Sequence, residues 1–221
     1  MLLAVDTSNA QMGLALYDGA QVIGEFSWRS SQRHTVELAP AVSDLIARCG
    51  LKIDQVTALG VALGPGSFTS LRVGLAFAKG LAMARRIPLI GIPTLDILAR
   101  ALPASDRPLG VAIRAGRGRF AFGWYQGSGN GWQAQGVARV VSLEALQDEV
   151  KSPSVICGEF TAEERQQLEM NDRMQLASPA ESIRRPSVLA QLAWARLQNG
   201  EADDAASLAP LYLHTAAPIE I

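Results

Sequence analysis

The chain has 221 residues, of which 48% are hydrophobic and 19% charged, and 20 Lys and Arg stand against 21 Asp and Glu for a formal net charge of −1. That composition carries enough apolar material for one or two packed cores and excludes a disordered chain. It also weighs against a protein that grips RNA by itself, because such proteins offer the phosphates a basic face.

The first hundred residues alternate clearly. Leu2 to Val5 reads as a short buried strand that ends in the turn formers Asp6-Thr7-Ser8-Asn9. Met12 to Tyr17 resumes as a strand, and Asp18-Gly19 predicts a hairpin into Gln21 to Trp28. From His34, the apolar residues Leu38, Val42, Leu45, Ile46 and Cys49 form one helical stripe that Gly50 stops. Val56 to Leu63 is again strand-like and breaks at Gly64-Pro65-Gly66. Ser67 is placed to cap a second helix reaching Arg86. Ile87 to Ile92 is a fifth strand, and Pro93 to Ala101 a third helix begun by Thr94. The order β-β-β-α-β-α-β-α predicts an α/β fold with a mixed sheet flanked by helices.

Residues 102–108 read as a boundary, which divides the chain into an N-terminal lobe, 1–102, and a smaller C-terminal lobe, 103–221. Beyond it the pattern weakens. Leu109 to Ile113, Phe120 to Tyr125, Val137 to Val141 and Val155 to Cys157 read as strands, and Leu143 to Val150 as a helix. Ser187 to Asn199 reads as an amphipathic helix that packs back on the first lobe. No internal repeat is visible in the sequence.

Cys49 and Cys157 are too few for a disulfide framework and fit a reduced, cytoplasmic setting. The most apolar stretch, Val73 to Ala84, is interrupted by Lys79 and is shorter than the ~20 residues of a membrane span. The N-terminus lacks the basic opening of a secretory signal.

Several segments are candidates for chemistry. Asp6, Thr7 and Ser8 sit in a turn between strands, where hydroxyls and N–H groups can face phosphate and a carboxylate can hold a hydrated metal; the same residues can equally bond the turn to itself. Gly64 and Gly66 open a helix after a strand, a place that favours an anion, or they simply allow a tight turn. The loop is neither a Walker A sequence nor a dinucleotide fingerprint nor a nucleophile elbow. The second helix carries small residues in steps of four, Ser70-Gly74-Ala78-Ala82 and Ala76-Gly80-Ala84. Glycine inside a helix costs up to about 1 kcal/mol against alanine, so these rows call for close approach of a backbone, from this chain or from another protein. His34 and His214, 180 positions apart, make no metal site. Arg114, Arg117 and Arg119 form a basic glycine loop, either a contact for phosphate or a solvated turn.

Asp6-Thr7-Ser8, Arg33-His34 with Glu37 and Pro40, the run from Gly64 to Arg72, Gly74-Leu75, Ala78-Lys79-Gly80 and Pro88 to Gly91 together resemble the TsaB (YeaZ) family in order and spacing. Pro210-Leu211-Tyr212-Leu213 also matches, with His214 where the family usually has arginine. The resemblance implies a two-lobed actin-like ATPase (ASKHA) fold. It implies a non-catalytic scaffold that pairs with the catalytic paralogue TsaD and, together with the ATPase TsaE, serves formation of N6-threonylcarbamoyladenosine at position 37 of tRNAs reading ANN codons. It places the partner interface on the first two helices, with His34, Leu38, Val42, Ser70, Leu71, Gly74, Leu75, Ala78 and Ala82 as the expected contacts. Asp6, Thr7, Ser8, Gly64 and Gly66 become vestigial phosphate-facing loops. No cofactor is then required by this chain, ATP or ADP entering with the complex, and tRNA is met through the complex. TsaD carries a metal-binding histidine pair four residues apart on the first helix, whereas the position four after His34 here is Leu38. Self-association through the same face is expected when the partner is absent. Where the family usually reads Asp-Ala-Arg with a later glutamate, this chain has Arg114-Ala115-Gly116 and Arg119, so no role is carried over to that loop. The rival reading is an independent actin-like ATPase or small-molecule kinase, with Asp6 as its metal-facing acid and the glycines from Gly127 to Gly131 as its nucleoside loop.

Overall fold

A computed structural model describes residues 1–31, 33–129 and 131–213. The chain forms two compact units. The first is built from Met1–Ile97 and Arg184–Leu211, and the second principally from Leu98–Ile183.

In the first unit, β1 (Leu2–Asp6), β2 (Gln11–Tyr17), β3 (Val22–Arg29), β4 (Ala58–Gly64) and β5 (Leu89–Pro93) form one sheet in the order β3-β2-β1-β4-β5. β2 runs antiparallel to both β1 and β3, while β4 runs parallel to β1 and to β5. The central strands are buried on both faces, which is why they read as unbroken apolar runs rather than as alternations. Their side chains are nevertheless sorted by size. Leu3, Val5, Leu59, Val61 and Leu63 turn to the face covered by α1 (His34–Arg48) and α2 (Phe68–Arg85). Leu2, Ala4, Ala58 and Ala62 turn to the face covered by α6 (Pro186–Gln198).

The small side chains on the α6 face let that helix come close: a Cβ on Gly60 would stand 2.8 Å from the Ala193 methyl. Pro186 occupies the first turn of α6, where its missing N–H is harmless. The start of α6 is fastened to β3, because Glu25 accepts hydrogen bonds from Ser187 N at 3.1 Å, Ser187 Oγ at 2.8 Å and Arg185 Nη2 at 2.5 Å. The outer edge of β5 is met by Asp203, which bridges Leu89 and accepts from Gly91 N.

The second unit has β6 (Leu109–Arg114), β7 (Phe120–Ser128), β8 (Gly131–Val141), β9 (Ser154–Gly158) and β10 (Met174–Leu176) in the order β10-β9-β6-β7-β8. α4 (Leu143–Glu149) and α5 (Ala162–Glu169) contribute Leu143, Leu146 and Leu168 to a core with Phe120, Phe122 and Ile156. Both helices are capped by hydroxyls: Ser142 Oγ accepts from Ala145 N, and Thr161 with Glu164 forms a capping box. The two units share a plan. Each runs β-β-β-α-β-α-β, and each sheet places its third, second, first, fourth and fifth strands side by side with the same parallel and antiparallel pairings. The repeat that the sequence conceals is a repeat of topology.

Element types follow the sequence reading closely in the first unit. In the second, β7 and β8 extend well beyond the expected runs, and α5 and β10 were not foreseen. The chain passes from one unit to the other within α3 (Thr94–Arg100), between Ile97 and Leu98. No helix is long and apolar enough among the described residues to cross a membrane.

Burial pushes the Glu25 carboxyl up, but the bonds from Arg185 and Ser187 outweigh it and hold the group below the usual range. A lowered folded-state value gives stabilisation that is present above the unfolded carboxylate range near ~4.3 and is lost as pH falls through the folded value. Glu25→Gln is therefore expected to unfold at lower urea than the parent at pH 7, with the gap closing as pH falls below about 4. A gap that stays constant over that range would show that the Glu25 charge has no part in holding α6.

Candidate functional site

The turn that follows β1 is the most polar buried place in the first unit. Asp6 Oδ1 accepts from Ser8 N at 2.8 Å and from Ser8 Oγ at 2.5 Å. Asp6 Oδ2 accepts from Arg184 Nε at 2.9 Å, and both side chains are almost wholly enclosed, 3% and 1% exposed. Arg184 Nη2 donates in turn to the Gln11 carbonyl at 3.0 Å. Thr7 Oγ1 donates to the Ser70 carbonyl at 2.7 Å, and His34 Nε2 meets the Asn9 carbonyl at 3.0 Å, which requires the proton on that nitrogen.

The Gly64–Ser67 loop is bound into the same place. Ser67 N donates to the Ser8 carbonyl at 2.7 Å, and Gly64 N to Thr94 Oγ1 at 2.9 Å. Both glycines are required locally. Gly64 has φ +105°, in the left-handed region, and a Cβ on Gly66 would lie 2.2 Å from the Ser8 carbonyl oxygen. Ser67 begins α2 without capping it; its hydroxyl instead accepts from Ser70 Oγ at 3.0 Å.

A metal-bound nucleotide, which an actin-like ATPase fold implies, does not fit these loops. It needs a carboxylate facing outward and N–H groups left over for phosphate oxygens. Asp6 spends both oxygens on Ser8 and on a resident guanidinium, and the N–H groups of Ser8, Gly64 and Ser67 already serve acceptors of this chain. The topologically matching hairpin of the second unit shows the same pattern with the charges exchanged. Arg114 forms a two-pronged pair with Glu164, with Nη1 to Oε1 at 2.8 Å, and lies over the Phe120 ring at 4.8 Å. Its own N–H donates to Glu159 at 3.1 Å.

The arginine loop is a hairpin turn. Arg117 and Gly118 have φ of +53° and +70°, and Arg119 N donates to the Gly116 carbonyl at 3.0 Å, the geometry that suits the twist of two antiparallel strands. The glycines from Gly127 to Gly131 likewise join β7 to β8, with Asn130 outside the described residues. His214 also lies outside them. Among the described residues no three His, Cys, Asp or Glu side chains gather into a ligand set.

The nine expected interface residues lie together, but on the inner side of their helices. His34, Leu38, Val42, Leu71, Leu75, Ala78 and Ala82 are buried, as are Ser70 and Gly74. The row Ser70-Gly74-Ala78-Ala82 faces this chain's own sheet and turn; a Cβ on Gly74 would stand 2.2 Å from Thr7 Oγ1. The close approach that Gly74 permits is thus internal, and a bulky residue at Gly74 or Ala78 would disturb folding before it disturbed any partner. The second row is the outward one. Ala76, Gly80 and Ala84 are exposed, and a Cβ on Gly80 would meet nothing within 4 Å. Between α1 and α2 runs an open groove of about 450 Å³, walled by Ala39, Val73, Ala76 and Phe77 and floored by Leu38. Phe68 is 52% exposed with Arg72 stacked on its ring at 3.7 Å, and Val36 and Met83 are 56% and 62% exposed.

The profile of the family described as TsaD, tRNA N6-adenosine threonylcarbamoyltransferase, matches residues 28–214. The tRNA threonylcarbamoyladenosine biosynthesis protein TsaB of Bacillus subtilis is 32% identical over 97% of this chain and 94% of its own. The chain belongs to the TsaB (YeaZ) family. YeaZ from Pseudomonas aeruginosa superposes with a TM-score of 0.76 at 25% identity, covering 96% of this chain and 99% of the other. The ethanolamine utilization protein EutJ of Carboxydothermus hydrogenoformans, at 13% identity and a TM-score of 0.53 over 86% of this chain and 88% of its own, shares the fold alone. The fold is the actin-like ATPase fold, and the family places the chain in tRNA threonylcarbamoyladenosine biosynthesis.

The residue that sequence reasoning missed is Arg184. It stands 178 positions from Asp6, before Pro186 in a stretch without periodicity, and nothing local marks it as buried. Asp6→Ala would leave the enclosed Arg184 guanidinium without its carboxylate, and is expected to cost about 3–5 kcal/mol in unfolding free energy. Urea denaturation checks this; a loss below ~1 kcal/mol, the range of a surface pair, would mean that the two charges are not the enclosed pair described.

Proposed function

We propose that this chain is a non-catalytic subunit of the machinery that makes threonylcarbamoyladenosine on tRNA, and that it docks the catalytic TsaD protein on the outward face of α1 and α2. The observation that carries the reading is the open apolar groove between those helices, lined by Leu38, Ala39, Val73, Phe77 and the half-exposed Phe68. Exposed apolar surface of this kind on a small folded unit marks an interaction site. Aromatic and Arg side chains such as Phe68 and Arg72 are the residue types that anchor interfaces. Gly80 adds to it. An exposed helical glycine lowers stability by up to about 1 kcal/mol against alanine, and among the described residues nothing lies within 4 Å of a Cβ placed there.

The partner is TsaD because the family profile ties this chain to the TsaD fold, and two like folds can pair through corresponding helices. TsaE joins at the level of the assembled complex, as do tRNA and ATP or ADP; this chain needs no nucleotide of its own. Its two candidate phosphate hairpins are satisfied by Arg184 and by Glu164, and one turn beyond His34 stands Leu38 in place of a second histidine. Those features disfavour the independent ATPase or kinase. Without TsaD, the same face pairs two copies of the chain.

Ala76→Glu and Gly80→Leu are expected to leave the melting temperature of the free chain within a few degrees, because both positions face solvent. They are expected to weaken capture of purified TsaD by about 30-fold or more, the effect of losing ~2 kcal/mol at an anchor. Capture at parental strength by both variants removes this face from the interface. In a reconstituted tRNA assay, omission of the chain is expected to abolish modification, while the chain alone hydrolyses no ATP with magnesium above background. Steady turnover by the chain alone would restore the ATPase reading.

A further inference from the structure

We infer that Arg184 is a positioning residue for the partner-binding face, acting through Asp6 and the turn 6–9 without touching the partner; the inference rests on the docking role proposed for α1 and α2. The buried polar side chains of the first unit are concentrated behind the entry turns of those two helices. Arg184 fixes Asp6, and Asp6 fixes Ser8 through both its N–H and its hydroxyl. The turn so held then fastens α2 twice, through Ser67 N to the Ser8 carbonyl and Thr7 Oγ1 to the Ser70 carbonyl. It fastens α1 through His34 Nε2 to the Asn9 carbonyl. The approach to α1 is tied down next to it, since Ser30 N donates to the Ala10 carbonyl and Ser30 Oγ accepts from Arg33 N.

None of Asp6, Ser8 and Arg184 lines the groove. They set the relative placement of two helices whose outer sides form it. Apolar packing alone would hold α1 and α2 on the sheet, but it is non-directional and tolerates sliding. Hydrogen bonds at the first turns, to backbone groups of α2 and to the His34 side chain of α1, fix both rotation and height along each helix. Replacing a buried ion pair by apolar groups of similar volume is often neutral or stabilising, so a pair retained here is better explained by the geometry it imposes than by the stability it adds.

The test compares the parent chain with Arg184→Met, Arg184→Lys and Thr7→Val, measuring affinity for purified TsaD and amide hydrogen exchange of the free chain. Arg184→Met is expected to lower affinity by roughly 2- to 30-fold, the range seen for network residues remote from a ligand. Exchange is expected to quicken in the first turns of α1 and α2 while β6 and β7 keep their protection. Arg184→Lys, which keeps the charge, recovers part of both effects. Thr7→Val, which removes only the bond to α2, loosens α2 more than α1 and stands in if Arg184→Met does not fold. Parental affinity in a folded Arg184→Met or Thr7→Val variant overturns the inference, and so does exchange that rises evenly across the first unit, which would mean a general loss of stability. A parent chain that fails to bind TsaD overturns the docking role itself, and this inference with it.

Discussion

An enclosed carboxylate and an enclosed guanidinium, brought together from the two ends of the sequence, set the terms for the rest of the first unit. Removing both from water is expensive, and the arrangement is tolerable because the remaining capacity of each is used: Asp6 by Ser8, and Arg184 by the Gln11 carbonyl. Asp6 is thereby engaged on both oxygens, and the Gly64–Ser67 loop is tied to the same turn through Ser67 N and to Thr94 through Gly64 N. Turn and loop together are one hydrogen-bonded framework. The second unit reaches a similar state from the opposite charge, with Arg114 in the carboxylate's place and Glu164 answering it. The two matching hairpins are thus closed in two independent ways, one by Arg184 on Asp6 and one by Glu164 on Arg114.

The size gradient across the first sheet serves the same end. Large side chains on one face make a thick layer under α1 and α2, holding Leu38, Val42, Leu71 and Leu75 inward and leaving Thr35, Ala39, Thr69, Arg72 and Ala76 outward. Small side chains on the other face draw α6 down until Ala193 almost touches Gly60. That descent brings the chain before α6 within reach of the β1 turn, so that Arg184 can reach Asp6. The tight seam under α6 and the ion pair are therefore one construction, and the helices carrying the groove are braced from behind by it.

Much of this was legible in the sequence where local signals are strong. Strands buried on both faces read as Val, Leu and Ala runs, the stripe of α1 has helical spacing, and Gly64-Pro65-Gly66 announces a break. The second unit was harder. α5 is polar on most of its surface, with Leu168 its buried apolar residue, so no stripe betrays it, and β10 has three residues. At the site, the identity of the polar turn was readable and its chemistry was not. Whether Asp6 faces a metal or an arginine depends on a contact across 178 positions, which no spacing rule reports. Periodicity groups residues onto a helix face but does not say which face looks inward. For α2 both rows of small residues have the same spacing, and only the structure assigns Gly74 to Thr7 and Gly80 to the outside.

That division between the two rows also explains how a single helix satisfies two demands. Ser70, Gly74, Ala78 and Ala82 must be small because Thr7 and the sheet lie against them, and this requirement is one of folding. Ala76, Gly80 and Ala84 are exposed; among the described residues nothing would meet a Cβ on Gly80, and helix propensity would favour alanine over glycine there. The docking role proposed for this face accounts for a residue that is worse for the helix and neutral for the core. The apolar groove lies beside it on the same helix, and the polar turn behind is bonded to both helices that wall that groove.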